Sequence, residues 1–450
     1  MKKIFLLLLF SPVINLTAQE GTRIISGPML GHAGLRTAEV WAEFAPEIKE
    51  AALVYHSESE NRDSLITLEL PGGEFNTGLF VVTGLEPGNK YSYNIIAGED
   101  AVPAAEGMFT TQQLWQWRQP APDFSFLTGS CAYFNQPKYD RPGKPYGGDS
   151  TIFEAMAKEN ASFTLWLGDN WYTREADYYS KWGLYYRASH DRRLAVLQPL
   201  LKKMPQYAIW DDHDYGPNDS DKSYILKETS LNIFKKYWAN PSYGFNDQGI
   251  YTKVTWNDVD IFLLDDRWFR CNDSFPDSID GKPNPDKKML GDAQMEWLKN
   301  SLLFSKGNRN ISFRIIANGS QVLNGYSPYD CLRHFPAEYN ELLKFIEKNN
   351  IPGVLFLTGD RHHSEVIRLD REGTYPLYDI TVSPFTSGIG YTYGAEKNNP
   401  MRVDKEIDQQ NYARFTFEGK GKDRTLIVTF KDLHGEKIQT WSIKKSELEL

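Results

Sequence analysis

The sequence predicts an α/β protein in which a layered β-sandwich core flanked by helices follows a small all-β domain. Three observations predict this fold. Short apolar strands separated by Gly, Pro and Asn turns fill the chain from about residue 21 to 111. From residue 123 onward, apolar strands alternate with amphipathic helical segments. The chain has 450 residues, 41% of them hydrophobic, which is enough for two or three domains.

The first eighteen residues have the pattern of a signal peptide. Lys2 and Lys3 precede an apolar run from Ile4 to Phe10, and Ala18 stands at the expected cleavage point. The run is shorter than the ~20 residues that a membrane-spanning helix needs. We therefore expect a bacterial protein that is exported to the periplasm, the cell surface or the medium, with residues 1–18 removed.

The strands from residue 19 to 112 predict a β-sandwich domain. Within them, the segment GLEPGNKYSYNI resembles the tyrosine corner of fibronectin type III modules, in which a Tyr after a Pro-Gly turn ties its strand to the preceding loop. We therefore predict a fibronectin type III-like domain at residues 19–112. We expect residues 113–450 to form the second domain, with a linker or an interdomain strap at Leu114 to Pro122.

The second domain is predicted to contain six strands that alternate with helices, and a tail that returns to strands between Tyr412 and Ile443. Asp292 is expected to cap the fourth helix. The predicted helices are Ser150 to Asn160, Leu194 to Lys203, Lys222 to Tyr237, Asp292 to Ser305 and Ala337 to Asn349.

A polar cluster follows each of the six strands. In chain order the clusters are GSC, GDNWY, DDHD, DDR, NGSQ and GDRHH. Any one of them is ordinary, because Asp is common in turns and helix caps. Ligands bind at the carboxyl ends of strands in layered α/β folds, so six clusters at such ends predict one shared pocket.

The residue types in these clusters fit two unlike metal ions. Cys131, Tyr172 and His362 are donors that suit a redox-capable metal such as ferric iron. Asp212 and Asp360 are hard donors that suit calcium, magnesium or manganese. Asp169 is the natural bridging carboxylate. Such a pair would supply a bridging hydroxide for in-line attack on phosphorus. His213 follows Asp212 directly and could protonate the leaving oxygen.

The whole arrangement, GSC…GDNWY…WDDHDYGPND…LDDRWFR…GDRHHSE, resembles the PhoD-like branch of the calcineurin-type metallophosphoesterases. The spacing of Asp169 and Tyr172 is also similar to that of purple acid phosphatases. The general superfamily has other residues where Cys131 and Asp212 stand, and both departures are similar to those of the PhoD-like branch.

The resemblance implies a phosphatase or phosphodiesterase with Fe³⁺ and Ca²⁺, with Mg²⁺ or Mn²⁺ as alternatives in the second site. It implies iron ligands at Cys131, Asp169, Tyr172 and His362, and calcium ligands at Asp169, Asp212 and Asp360. Small-molecule, lipid and polymer phosphate esters all remain open as substrates, as does the choice between monoesters and diesters.

For Arg267 and for the loop after the fifth strand, the sequence allows more than one interpretation. Arg267 resembles a family arginine that could contact the substrate phosphate, and it could equally form a buried salt bridge with Asp265 or Asp266. The loop after the fifth strand offers a neutral oxygen ligand from Asn318, Ser320 or Gln321 in place of the superfamily's histidine.

Other classes of function fit the sequence less well. An inactive exported protein that binds phosphorylated glycans or lipids would be expected to lack a ligand position, and none is missing. A serine hydrolase would need a Gly-x-Ser-x-Gly elbow, which the Asn318 loop does not provide. The net charge of −9 argues against stable nucleic-acid binding, and a monomer is the default expectation. A disulfide between Cys271 and Cys331 is left open.

Overall fold

The computed structural model describes residues 23–57, 59, 62–98 and 103–449. The predicted signal peptide, residues 1–18, lies outside the described residues. The described chain begins with seven strands: β1 (Ile24–Ala33), β2 (Thr37–Phe44), β3 (Glu50–Ser57), β4 (Arg62–Glu69), β5 (Asn76–Thr83), β6 (Lys90–Ala97) and β7 (Pro103–Thr110).

These seven strands form two antiparallel sheets around their own core. The strand orders are β1-β2-β5 and β4-β3-β6-β7. Alternate residues of β6, among them Tyr91 and Tyr93, are buried between the sheets. The Tyr91 hydroxyl accepts a hydrogen bond from the backbone N–H of Glu86 at 2.9 Å, which is the contact expected of a tyrosine corner. The prediction of an N-terminal all-β region is confirmed.

The remaining strands and helices alternate along the second region. The strands are β8 (Phe124–Gly129), β9 (Thr164–Leu167), β10 (Gln206–Ile209), β11 (Thr252–Trp256), β12 (Val259–Leu263), β13 (Ser278–Ile279), β14 (Lys282–Pro283), β15 (Phe313–Asn318), β16 (Val354–Thr358), β17 (Glu365–Leu369), β18 (Leu377–Thr381), β19 (Asn411–Glu418), β20 (Thr425–Asp432) and β21 (Lys437–Lys444). The helices are α1 (Ile152–Lys158), α2 (Lys181–Arg192), α3 (Gln198–Lys203), α4 (Asp212–Tyr215), α5 (Lys227–Tyr237), α6 (Gly291–Gly307) and α7 (Pro336–Lys348).

Two six-stranded sheets form the predicted layered core. Their orders are β10-β9-β8-β19-β20-β21 and β11-β12-β15-β16-β18-β17. Each sheet contains a run of parallel strands, which is β10-β9-β8 in the first sheet and β12-β15-β16-β18 in the second. Apolar side chains of both sheets share one core, in which the rings of Phe313 and Phe417 lie 5.4 Å apart. The strand ends that carry the polar clusters therefore meet at one edge.

The predicted helices are all present, with shifted ends, and the predicted cap of α6 is wrong. This helix begins at Gly291, and Asp292 lies in its first turn, where it pairs with Lys288. Glu338 of α7 takes the capping role instead, because its carboxylate accepts hydrogen bonds from the N–H groups of Met289, Leu290 and Gly291 at 2.7–2.9 Å. A cap supplied by another helix leaves no local signal in the sequence.

The N-terminal sheets are packed directly against the second region. Trp41 donates its indole N–H to the carbonyl of Lys236 at 2.7 Å, and the N–H of His32 reaches the carbonyl of Ala239 at 3.0 Å. Trp41 and Met29 belong to the large core of the second region. Over the part of the chain that the structure describes, no helix has the length and apolar character needed to span a membrane.

Candidate metal centre

The predicted metal ligands follow strands of both six-stranded sheets. Cys131 follows β8, Asp169 follows β9, Asp212 begins α4 after β10, and Asp360 and His362 follow β16. Four of these residues have left-handed backbone, with φ between 53° and 65°: Cys131, Asp169, Asp360 and His362. Residues other than glycine rarely adopt this conformation, and it concentrates at functional sites. The sharp turns aim the side chains back across the strand ends.

Cys131, Asp169 and His362 form a first group whose potential ligand atoms all lie within 4.8 Å of one another. The Cys131 sulfur is 3.6 Å from Asp169 Oδ2. The Tyr172 hydroxyl is 3.1 Å from His362 Nε2, which brings the fourth predicted ligand to the same group. One thiol, one carboxylate, one phenol and one imidazole therefore converge at a single point.

Asp169, Asp212 and His213 form a second group with the same 4.8 Å limit. The backbone N–H of His213 donates to Asp212 Oδ1 at 3.0 Å and to Asp169 Oδ1 at 3.2 Å. The backbone N–H of Asp219 donates to Asp212 Oδ2 at 2.7 Å. Asp169 thus belongs to both groups, as expected of a bridging carboxylate.

Asp360 lies beside these groups and not within either. It lines the same cavity of about 340 Å³ as Asp169, Asp212 and His213. Its backbone carbonyl, and not its carboxylate, is the atom 3.5 Å from the Cys131 sulfur. The predicted calcium ligands therefore share one cavity.

The electrostatics of the site fit a pair of cations. Burial raises the pKa of Asp169, and repulsion from Asp212, Asp214 and Asp360 raises it further. Burial likewise raises the pKa of the Cys131 thiol, and the negative charges of Asp169 and Asp360 raise it further. Bound cations would reverse both effects by stabilising the ionised forms. The donor set therefore fits two metal ions.

Contacts around the ligands were not predicted from the sequence. The Tyr146 hydroxyl lies 3.0 Å from His362 Nδ1, so it can fix the ring while Nε2 faces the first group. Ser383 Oγ accepts the N–H of His362 at 2.9 Å and lies 3.3 Å from the Cys131 sulfur. Neither residue stands in a polar cluster after one of the six predicted strands, so no local pattern in the sequence identifies them.

Arg361 stands between two predicted ligands and is buried. Its guanidinium meets both oxygens of Glu396 at 2.8 Å and donates to Ser327 Oγ at 2.8 Å. His363 and Glu365 lie next to Glu396 in a third group of close acids and histidine, and Arg402 pairs with Glu365 at 2.6 Å. Each carboxylate of this group has its own arginine as a counter-ion, so both negative charges are paired without a metal.

The structure places Arg267 in an ion-pair network. Its side chain is fully buried and pairs with Asp211 and with Asp330, while Asp266 lies at 3.8 Å. Asp265 accepts the backbone N–H of Arg267 instead. The buried salt bridge that the sequence left open is therefore present, with other main partners than expected, and Nη1 has no partner among the described residues.

The loop after β15 is occupied by internal contacts. Ser320 donates from its N–H and its hydroxyl to Asp266 at 2.7 and 2.9 Å, and Gln321 donates to Glu365 at 2.9 Å. Asn318 donates to the Ser320 carbonyl at 2.7 Å, and its own side-chain oxygen is buried without a partner among the described residues. Of the three candidates, Asn318 alone keeps a buried oxygen without a partner.

All three cysteines are unpaired, so the structure does not contain the disulfide that the sequence left open. Cys271 lies 3.1 Å from Lys222 Nζ and donates to the carbonyl of Asp286. Cys331 faces the carbonyl of Asn324 at 3.4 Å. Each thiol therefore has separate surroundings.

Comparison with known proteins identifies the family of the chain. The family model described as PhoD-like phosphatase matches residues 126–425. The chain belongs to the PhoD-like phosphatase family. A second model, for a domain of unknown function, matches residues 21–114.

Three individual proteins are similar to this PhoD-like chain. It is 25% identical over 385 residues to alkaline phosphatase D of Bacillus subtilis, covering 74% of this chain and 63% of that protein. The chain thus spans less than two thirds of that relative. A solved structure of PhoD has a TM-score of 0.77 at 18% identity, covering 95% of this chain and 91% of that one. A purple acid phosphatase from yellow lupin seeds has a TM-score of 0.65 at 10% identity, covering 93% and 74%. These two comparisons show that the chain has the same fold as both solved proteins.

Proposed function

We propose that this PhoD-like chain is an exported, metal-dependent phosphoesterase. The observation that carries the proposal is the position of Asp169 in two overlapping groups of potential metal ligands. Two adjacent metal sites suit phosphoester hydrolysis by a pair of metal ions, and a carboxylate shared between them would hold the two ions close together. The family membership supports the class of reaction, and the apolar leader at residues 1–18 supports export.

Each ligand has a proposed role. Cys131, Asp169, Tyr172 and His362 would hold one ion, which we propose is iron. Asp169, Asp212 and Asp360 would hold the other, with calcium as the first candidate and magnesium or manganese as alternatives. When bound, the pair supplies an activated water and neutralises the charge on the phosphoryl group.

His213 is the proposed proton donor to the leaving oxygen. It lines the cavity together with Asp169 and Asp212, and its Nδ1 is buried without a hydrogen-bond partner among the described residues. Its ring packs 4.1 Å from that of Tyr172, so its orientation is fixed. An alcohol leaves more easily when its oxygen receives a proton as the ester bond breaks.

The division of the chain follows the same evidence. We propose a signal peptide at residues 1–18, a fibronectin type III-like domain at 19–112 and a phosphatase domain at 113–450. The last strand of the first sandwich ends at Thr110, and the two family models match residues 21–114 and 126–425.

The first experiment measures the metal content and the activity of the mature protein. The protein is purified without chelator, its metals are counted by mass spectrometry, and hydrolysis of p-nitrophenyl phosphate and of its bis ester is followed. We expect iron with calcium and turnover of at least one ester. Asp169→Asn should lose bound metal and ester turnover. Asp404→Asn, at an exposed site, should keep both the metal and the turnover. Absence of metal and turnover after iron and calcium are supplied would favour a binding protein for phosphorylated glycans or lipids.

A further inference from the structure

A second cavity, of about 510 Å³, adjoins the metal cavity. The two cavities share Tyr146, His213 and Asn218 as a common wall. The carboxylates of Asp169, Asp212 and Asp360 line the metal cavity alone. We call the second cavity the outer lobe. The residues that line it and not the metal cavity include Tyr133, Arg141, Lys144 and Tyr178.

The inner end of the outer lobe has rigid aromatic walls. The rings of Tyr133 and Tyr172 meet edge to face at 5.0 Å. The guanidinium of Arg174 lies 4.0 Å from the centre of the Tyr133 ring, and the Tyr133 hydroxyl donates to Asp140 at 2.8 Å. These contacts fix the ring of Tyr133 in place. Fixed aromatic walls suit a ring-shaped substituent, which gains contact area without ordering the protein.

The outer end of the lobe carries a surplus of positive charge. Asp140 is paired with Arg174 at 3.0 Å, and Glu175 is paired with Arg141 at 2.9 Å. Lys144 is exposed and forms no ion pair with any described residue. The metal cavity has the opposite character, because carboxylates dominate its lining. An anionic group on a substrate would therefore find its counter-charge at Lys144.

We propose that the outer lobe binds the leaving alcohol of the substrate and favours alcohols that combine a ring with an anionic group of their own. This inference rests on the proposed function. As a water oxygen bonds to phosphorus, the P–O bond to the alcohol breaks. The alcohol oxygen receives a proton from His213, and the water's released proton restores His213. Because His213 stands in the wall between the cavities, the alcohol that it protonates departs into the outer lobe.

The test compares two esters that differ by one charge. Phenyl phosphate and 4-carboxyphenyl phosphate share a ring, and only the second has an anionic leaving alcohol; their methyl diesters serve if diesters are the better substrates. For the metal-loaded enzyme we expect a KM about three- to fivefold lower for the carboxyphenyl ester, the range of an exposed ion pair. Lys144→Ala should abolish the difference, and Lys144→Glu should invert it.

A matched control and a binding measurement complete the test. Lys420→Glu makes the same charge change at an exposed lysine between β19 and β20, and should preserve the preference of the unsubstituted enzyme. Calorimetric Kd values for benzylphosphonate and 4-carboxybenzylphosphonate, which are not hydrolysed, should show the same ratio and the same response to Lys144→Glu. Two outcomes would overturn the outer-lobe proposal alone: turnover of both esters with equal KM values, or a preference for the carboxyphenyl ester that persists in Lys144→Glu. Absence of any turnover would overturn the proposed function with it.

Discussion

Arg267 donates a hydrogen bond from Nε to Asp211 Oδ1 across 2.6 Å, and both side chains are fully buried. Asp211 also caps α4, the helix that begins with Asp212. The pair therefore connects the loop after β12 to the segment that holds a predicted ligand. This position suggests that Arg267 supports the site through Asp211.

Removing the arginine should destabilise the protein strongly. In Arg267→Met, Asp211 is left buried without its cation, whereas Asp330 keeps its ion pair with Arg270 at 2.8 Å. We expect the free energy of unfolding to fall by about 3–5 kcal/mol. Denaturant titration measures the change. Arg368→Met, which breaks an exposed pair with Asp370, should cost less than about 1 kcal/mol. Lost activity with unchanged stability would instead support direct contact between Arg267 and the substrate.

Replacing the thiol should change the metal composition. Cys131→Ser substitutes a harder and weaker donor in the first group, so we expect iron binding to weaken roughly tenfold or more, since loss of contacts to a ligand alone has effects of that size. Metal analysis after dialysis measures the change. Cys331→Ser alters an equally buried thiol that belongs to neither ligand group, and should keep its iron. Retention of iron by Cys131→Ser would exclude Cys131 as a ligand.

The pair of Arg361 and Glu396 should hold the loop that carries Asp360 and His362. Glu396→Gln removes the charge that this arginine meets with two hydrogen bonds, so we expect metal affinity to fall by about tenfold while the chain stays folded. Competition with a chelator gives the affinity, and circular dichroism monitors the fold. Glu341→Gln, in an exposed pair with Lys299, is the control. An unchanged metal Kd would mean that the loop is held by other contacts.

Hydrolysis should invert the configuration at phosphorus. Direct in-line attack by water exchanges one apical oxygen for another, whereas a phosphoenzyme would require two inversions and give net retention. A chiral thiophosphate ester hydrolysed in isotopically labelled water reports the outcome by phosphorus NMR. A retained configuration would contradict the direct attack.

Glu39 should make stability depend on pH. Burial raises the pKa of this carboxyl from 4.5 to about 7, so the folded protein keeps the proton that the unfolded chain releases. The contribution of Glu39 to the free energy of unfolding is therefore fully present below pH 4.5. It is lost as the pH rises through 7, which lowers the free energy of unfolding by on the order of 2 kcal/mol. Glu39→Gln should remove this fall in denaturant titrations at several pH values. Glu69→Gln, at an exposed strand end, should not.

The sequence predicted the layered core and the place of the site because both depend on local patterns. Apolar strands followed by polar clusters can be predicted from neighbouring residues, and the predicted assignment of ligands to each metal came from the resemblance to a family. Contacts between distant segments could not be predicted. The cap of α6 by Glu338 and the contact of Tyr146 with His362 join residues 47 and 216 positions apart. Helix α2 was missed because its buried face includes Arg187 and Asp191, which pair with each other and hide the apolar period.

The left-handed backbone at Cys131, Asp169, Asp360 and His362 has a consequence for engineering this scaffold. A side chain in that conformation costs roughly 1–2 kcal/mol, and glycine avoids the cost. Glycine at any of the four positions would relax the chain and delete a donor in the same step. A screen for heat resistance alone is therefore expected to enrich variants that are more stable but no longer bind metal. A thermostabilisation library should keep these four codons fixed.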